Sequence, residues 1–314
     1  MKHLKFTILL AVVYGILLCF AGCDKENMEN SVGKPDENTA LNNTPVVTDV
    51  PATDEPYEPG FELHFIDVGQ GDCMLLVADG EAMLIDSGNV GKGESVVEYL
   101  KGQGVTKLKY LILTHGHADH VGGMPEVMDA FPFEKMFVYD EPVCEEEPYK
   151  NFMGIIGERS YEYVMPELGS KHSLGKGEFV VLGPSRLDNS NLNNNSISIK
   201  FTYGNRSFLL CGDAQTPQET DLIKFAKENN ISLDCDVWKA NHHGSLAGCS
   251  QGFINKAKAE FIVIQVGANN IYGYPGLATV NRLKNSGAVI YRNDVNGNII
   301  VKTDGETLEW TTER

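Results

Sequence analysis

The sequence predicts an α/β fold of four layers, with two mixed β-sheets face to face and helices over their outer faces. Three observations predict it. Short apolar runs of strand length fall into two groups, one ending near Tyr139 and the other starting at Glu178. Segments of helical spacing separate the runs within each group, and face-to-face sheets with outer helices bury such faces economically. Three runs are followed within a few residues by metal-ligand residue types: Leu111-Ile112-Leu113 before His115, Leu209-Leu210 before Asp213, and Trp238 before His242. Ligands at the same ends of neighbouring strands converge in one cleft.

The first 22 residues read as a targeting segment. Lys2 and Lys5 give a positive start, and Phe6 to Phe20 is an apolar run too short for a comfortable membrane span. Phe20-Ala21-Gly22-Cys23 places small residues before a cysteine, as in bacterial lipoprotein signals, so cleavage before Cys23 and lipid on its sulfur are expected. The mature protein is then extracytoplasmic, a lipoprotein of the cell envelope anchored to a membrane through its N-terminal lipid only. Residues 23–58 read as an acidic tether, with nine Asp/Glu, two Lys and almost no large apolar side chains. That composition cannot bury enough surface to fold and lets a globular head stand off the membrane. The folded domain is expected over residues 59–314.

Within it, Phe61 to Ile66 alternates and then runs apolar, ending at Asp67. Cys73 to Val77 is a second strand and Ala82 to Ile85 a third, after an Asp79-Gly80 turn. Ser95 to Leu100 reads as helix, Tyr110 to Leu113 as a buried strand, Pro125 to Phe131 as a short helix and Phe137 to Tyr139 as a strand. Residues 140–163, with Glu145-Glu146-Glu147, Tyr149, Tyr161 and Tyr163, read as a solvated insertion, or as acids and aromatics suited to a quaternary ammonium. In the second group, Glu178 to Leu182, Ser196 to Tyr203, Ser207 to Leu210, Val237 to Ala240 and Phe261 to Val266 are strands. Asp221 to Asn230 and Val280 to Ser286 are helices, and Ala288 to Tyr291 and Asn298 to Lys302 close the domain.

The whole chain carries a net charge of −17, and the domain alone holds 34 acids against 22 bases. No Lys/Arg cluster is present to neutralise a run of phosphates, which weighs against a processive nuclease. Cys73 and Cys211 sit in strand-like runs as small hydrophobes. Spacing assigns no pairing among Cys144, Cys235 and Cys249.

His115, Gly116, His117, Ala118, Asp119 and His120 are the most informative residues. Three imidazoles and a carboxylate crowd one turn after a buried strand, and core packing asks for none of them. Such side chains ligate zinc-type cations at about 2.0–2.2 Å. Two His spaced by one residue can face one ion, and the next Asp-His pair can turn toward a second.

Thr114-His115-x-His117-x-Asp119-His120-x-Gly122-Gly123, with Leu84-Ile85-Asp86-Ser87-Gly88 upstream, resembles the metallo-β-lactamase superfamily. Within it, residues 65–72, Asn195 to Ile199, Leu210-Cys211-Gly212-Asp213 and Lys239 to Ser245 resemble the soluble domain of ComEC-like DNA-uptake proteins. The resemblance covers about residues 60–314 and implies an αβ/βα sandwich with a dinuclear metal site at one edge. It implies that His115, His117 and Asp213 hold one divalent ion, and that Asp119, His120, Asp213 and one of the tandem His hold the other. His243 is favoured because it precedes Gly244, which leaves His242 to contact substrate or protonate a leaving group. Asp86 would orient a ligand His from behind, and Asp67 would brace the site likewise. Asn195-Ser196 falls where relatives place an extra His; His172, in a polar Ser-Lys-His-Ser segment, reads as surface. Relatives tend to carry His where this chain has Tyr274, in Tyr272-Gly273-Tyr274-Pro275; a phenol there donates a hydrogen bond but titrates near 10.

The implied protein is a hydrolase with two divalent ions, zinc first and manganese or iron also compatible. Its metals would acidify the attacking water, and Asp119 would hold that water and shuttle its proton. A phosphodiester is the expected substrate, in a small molecule, a wall polymer or DNA. The readings to be separated are a general phosphodiesterase, an extracellular nuclease of the DNA-uptake type, a phosphorylcholine-esterase-like wall hydrolase and a non-catalytic, metal-stabilised binding lipoprotein. β-Lactam hydrolysis is less favoured by the ComEC-like motifs.

Overall fold

The fold was read from a computed structural model that describes residues 60–141 and 143–314. The expected signal segment 1–22, the expected lipidation site Cys23 and the whole tether, 23–58, lie outside the described residues. Among the described residues, no helix is long and apolar enough to cross a membrane.

The chain first lays down β1 (Phe61–Phe65), β2 (Met74–Ala78), β3 (Glu81–Ile85), α1 (Gly93–Gly102), β4 (Leu108–Ile112), α2 (Ala118–Val121), α3 (Met124–Ala130), β5 (Phe133–Phe137), α4 (Glu147–Arg159) and β6 (Tyr163–Val164). It continues with β7 (Lys171–Leu174), β8 (Gly177–Gly183), β9 (Ser198–Tyr203), β10 (Arg206–Leu210), α5 (Thr216–Glu228), β11 (Val237–Lys239), α6 (Gln251–Ala257), β12 (Phe261–Ile264), α7 (Leu277–Lys284), β13 (Val289–Arg292) and α8 (Asn293–Asn296). β14 (Ile299–Thr303) and β15 (Glu309–Thr312) end the chain.

The strands form two sheets, in the orders β15-β14-β1-β2-β3-β4-β5-β6 and β13-β12-β11-β10-β9-β8-β7. Each sheet is antiparallel in one half and parallel in the other: β3 to β6 run parallel in the first, β10 to β13 in the second. The two expected closing strands separate. Residues 289–292 pair with β12, whereas residues 299–303 return to the first sheet beside β1.

Alternation within the strands explains the layers. Phe61, Leu63 and Phe65 of β1 face Phe201, Phe208 and Leu210 across the gap between sheets. The opposite face of the first sheet, with Leu75, Leu84 and Leu111, packs on Val96 and Leu100 of α1, Val127 of α3 and Phe152 of α4. The outer face of the second sheet, with Leu209, Trp238 and Ile262, packs on Leu222 of α5, Phe253 of α6 and Leu283 of α7. The four layers expected are thus present.

Several boundaries differ from expectation. The strand read at 137–139 lies at 133–137, because alternation there is weak and Glu134 and Lys135 face solvent. Residues 147–159 are helix, not a solvated insertion: Tyr149, Phe152 and Ile156 recur at helical spacing and are buried. Tyr149 is committed to the core, its hydroxyl donating to the Tyr139 carbonyl and accepting from the Glu141 amide, so it cannot serve an aromatic cage. His172 is not a free surface residue. It lies in β7 with its ring half-buried among Tyr110, Phe137 and Phe179, at 5.0–6.1 Å between centroids. All five described cysteines are buried and unpaired.

Phe61 tests the inter-sheet packing. Its ring is fully buried and stacks on Phe201 at 4.6 Å and near Phe208 at 4.8 Å. Phe61→Ala should destabilise the fold by about 3–5 kcal/mol, read in urea as a lower midpoint with an unchanged slope.

Candidate metal centre

The carboxyl ends of β3, β4 and β5 meet those of β10, β11 and β12 along one edge of the sandwich. Ligands favour this side of parallel sheets, because each strand there releases a loop into the same crevice. β3 delivers Asp86, β4 the segment 114–120, β10 Asp213, β11 His242 and His243, and β12 Gln265. The helical turn α2 carries Asp119 and His120. Asp86, His242 and His243 hold positive φ, near 58°, 50° and 51°. Such strain in non-glycine residues collects at functional sites. Gly71 lets the 65–72 segment approach closely: a Cβ there would lie 2.3 Å from the Asp119 carbonyl.

The hydrogen bonds set each imidazole's tautomer. His120 Nδ1 lies 2.8 Å from Asp86 Oδ2, and His243 Nδ1 lies 2.9 Å from the Gln265 carbonyl. Both acceptors require Nδ1–H, so both Nε2 atoms present lone pairs. His115 Nδ1 lies 3.1 Å from Thr114 Oγ1, whose hydroxyl donates to Asp86 at 2.7 Å. Its Nε2 then also presents a lone pair, 2.9 Å from His117 Nδ1. His242 is arranged the opposite way. Its Nδ1 accepts from Gln215 Nε2 at 3.2 Å and from Ser245 Oγ at 2.9 Å, which leaves Nε2 bearing the proton, 3.8 Å from Asp213 Oδ2. The tandem pair is therefore differentiated: His243 offers a lone pair and His242 a donor.

Asp213 is the meeting point. Its Oδ2 lies 3.3 Å from His120 Nε2 and 3.2 Å from His243 Nε2, and its Oδ1 lies 3.4 Å from Lys239 Nζ. Asp119 Oδ2 reaches His243 Nε2 at 3.2 Å. His115, His120 and Asp213 form one potential ligand group, and Asp119, His120 and His243 another. The donor set fits a cation. His120 Nε2 and His243 Nε2 are buried without a hydrogen-bond partner, and a lone pair facing a carboxylate oxygen repels unless positive charge lies between them.

Electrostatics show the same demand for positive charge, which protons on His120 and His243 meet where a cation does not. Burial opposes charge on His120 and His243, yet the surrounding carboxylates, Asp213 first, hold both well above the ordinary histidine range. Burial also opposes charge on Asp213 and Asp119, but His243 and His120 hold the first far below the carboxylate range, and His120 and His243 hold the second. His115 is pushed well down by burial and by its neighbouring imidazoles, which keeps it neutral, the form that ligates.

Two expected residues act elsewhere. Asp67 does not brace the centre: its Oδ1 accepts from the Gly69 amide and its Oδ2 holds Arg314 at 2.7 Å, near the chain terminus. Asn195 does not face the ligands. Its amide donates to Glu141 Oε1 at 2.8 Å and its carbonyl accepts from the Asp188 amide. It works through Glu141, whose Oε2 accepts from the Gly116 amide at 2.6 Å, between His115 and His117. Its neighbour Ser196 reaches the centre, with Oγ accepting from the Asp213 amide at 3.0 Å. Tyr274 lies beside the tandem pair, its ring roughly parallel to His243 and edge-on to His242.

Sequence reasoning missed three supports. Asp72 is fully buried, paired with Lys239 and 3.3 Å from His243 Nδ1. Lys239, also fully buried, donates to the Gly212 carbonyl at 2.9 Å and offsets Asp72 and Asp213. Glu219 anchors the loop after β11, accepting from Asn241 Nδ2, the Cys249 amide and the Ser250 amide. The available signals were Asp72 closing the 65–72 motif and a lysine in an apolar run before the tandem His.

Buried His and Asp donors at the carboxyl ends of two face-to-face sheets describe a metal-dependent hydrolase. The chain belongs to the metallo-beta-lactamase superfamily, whose model matches residues 66–263. It is 27% identical to ComE operon protein 3 of Bacillus subtilis over 76% of this chain and 32% of that protein. It is 26% identical to Recombination protein 2 of Haemophilus influenzae over 80% of this chain and 30% of that protein, and 27% identical to Competence protein ComA of Neisseria gonorrhoeae over 74% and 30%. The chain thus spans about a third of the length of these relatives. The metallo-beta-lactamase fold protein YhfI of Bacillus subtilis superposes with a TM-score of 0.52 at 11% identity, over 77% of this chain and 99% of that one. The CmlA beta-hydroxylase E377D mutant gives 0.54 at 14%, over 79% and 55%. Both likenesses show the fold.

Removing Asp86 strips the acceptor from His120 and Thr114. Asp86→Ala should weaken metal affinity about 10–100-fold, measured by competition with a chromogenic chelator. Asp67→Ala should leave that affinity unchanged, since its partners are Gly69 and Arg314.

Proposed function

We propose that this protein is a dinuclear metal-dependent hydrolase that cleaves phosphodiesters outside the cytoplasm, tethered to a membrane through Cys23. The observation that carries the reading is the convergence of lone-pair imidazoles from His115, His120 and His243 on Asp213. In this reading His115, His117 and Asp213 hold one ion, and Asp119, His120, Asp213 and His243 hold the other. Zinc suits these donors, with manganese or iron also compatible; two such ions would supply Lewis-acid stabilisation and an acidified water.

The chain's own residues do the rest. Asp119 is partly open to the cleft and kept ionised by its imidazole neighbours, so its carboxylate can accept a hydrogen bond from the attacking water. His242, with Nε2–H turned inward and the ring 13% exposed, can donate to the leaving oxygen. Tyr274 can donate its phenol beside it. Lys239 holds one oxygen of Asp213 and leaves the other for the cluster.

Charge supports an anionic substrate. Asp72, Asp86, Asp119 and Asp213 against Lys239 leave the centre at −3 with neutral imidazoles. Two dications would make it +1, a local reversal within a domain of net −12. A phosphodiester matches that sign. An extracellular nuclease is the second reading, favoured by the competence proteins among the relatives.

The test is metal content and hydrolysis of bis-p-nitrophenyl phosphate by the full chain. About two divalent ions per chain and chelator-sensitive hydrolysis are expected, with Asp213→Ala losing metal and at least 100-fold in kcat/KM, about 2.7 kcal/mol. Undiminished activity in metal-free Asp213→Ala would falsify the reading.

A further inference from the structure

A cavity of about 260 Å³ opens beside the centre, lined by Leu246, Ala247, Tyr272 and Tyr274 and by the backbone of Gly273 and Gly276. No charged side chain lines it. It adjoins the centre directly: Ser245, on its wall, bonds His242, and the Tyr274 ring lies against both tandem His. Tyr272 stacks on Tyr274 with centroids 5.6 Å apart and planes 17° apart, and Tyr274 lies 24° from the plane of His243 at 6.4 Å. Three rings thus step outward from a metal ligand to the surface in nearly parallel planes. Tyr272 is 59% exposed, and Leu246 on the same lining, with Ile271 and Leu277 beside lining residues in the chain, is exposed too.

A folded protein rarely leaves such apolar exposure at a cleft without a ligand for it. Parallel rings with a free outer face form a stacking platform, since aromatic pairs favour offset stacking at about 4.5–7 Å. A dry cavity of about 150 Å³ already holds benzene, so this one has room for a planar ring system. With no charge in its lining, the pocket complements an uncharged group while the centre takes the anion.

We propose that this pocket is a substrate subsite for a planar aromatic group, a nucleobase or another aryl ring, attached to the phosphodiester whose phosphate lies at the metal centre. The proposal rests on the phosphodiesterase reading and adds the residue that selects the substituent. Tyr272 supplies the open stacking face, Leu246 adds apolar lining, and Tyr274 joins the subsite to His242. Stacking on an aromatic side chain tolerates any flat π-face, so ring shape rather than hydrogen-bond pattern is read.

The test uses the metal-loaded full chain and three S-ethyl phosphorothiolate diesters, whose ethanethiol leaving group brings no ring of its own, differing in a thymidine, phenyl or methyl substituent, with the released thiol read by Ellman's reagent. The thymidine or phenyl ester should exceed the methyl ester in kcat/KM by on the order of 10-fold, about 1.4 kcal/mol. Preference for both identifies any aryl ring as the ligand; preference for thymidine alone identifies the nucleobase. Tyr272→Ala should collapse the ratio toward one, chiefly through KM, while metal content stays at the wild-type level. A wild-type ratio near one, a ratio that survives Tyr272→Ala, or a stronger preference for the choline ester with the same ethanethiol leaving group would overturn the assignment. If none of the esters is hydrolysed, the phosphodiesterase reading fails on its own. The subsite is then decided by calorimetry: phenylphosphonate binding about tenfold tighter than methylphosphonate, with the difference lost in Tyr272→Ala, sustains it, and equal affinities reject it.

Discussion

The structure turns on buried negative charge that must be offset. Asp72, Asp86 and Asp213 are almost fully excluded from water where the two sheets end, and Asp119 stands at the opening. Desolvation disfavours each of these charges. Lys239 cancels one, and removing a partner from such a pair leaves an uncompensated buried ion, at a cost of about 3–5 kcal/mol. Three negative charges remain, and the imidazoles around them take up protons readily. A site that demands positive charge this strongly is built around cations.

The scaffold meets that demand by geometry. Both sheets turn from antiparallel to parallel pairing toward one half, so six strand ends open into one crevice. Alternation along β11 explains Lys239: Val237 faces the inter-sheet core and Trp238 the outer layer, which sends Lys239 back between the sheets. There it meets Asp72 from the opposite sheet. Gln265 ties the halves together, donating to the carbonyls of Ile66 and Cys73 while its own carbonyl orients His243. Ligand orientation and sheet packing are therefore one problem, solved by the same residues.

Support from behind distinguishes otherwise similar side chains. His242 and His243 are neighbours with nearly equal φ, yet one faces two donors and the other a carbonyl. Their opposite tautomers follow from those partners alone. Asn195 and Ser196 divide likewise, one bracing Glu141 and the other the backbone of Asp213.

Local pattern determined the four layers, most strand positions, and the candidate cluster at 115–120 with Asp213 and the tandem His at neighbouring strand ends. These were legible because apolar alternation and ligand-type residues at strand ends are properties of contiguous sequence. Asp86 was legible as a support because it ends a strand in a recognisable motif. Tertiary structure alone decided what Asp67, Asn195 and residues 147–159 do. Asp67 and Asp72 are both carboxylates of one glycine-rich segment, and only the turn through Gly69 and Gly71 sends Asp67 to Arg314 and Asp72 to Lys239. The helix at 147–159 hid its apolar face among glutamates and tyrosines until the first sheet gave that face something to cover. The choice between His242 and His243 as ligand depends on the Gln265 carbonyl, and the ring steps at Tyr272 and Tyr274 depend on how the loop before α7 folds over the tandem His. Each is a contact between residues distant in the chain or turned by a loop, and a linear pattern carries no record of which side chains such folding brings together.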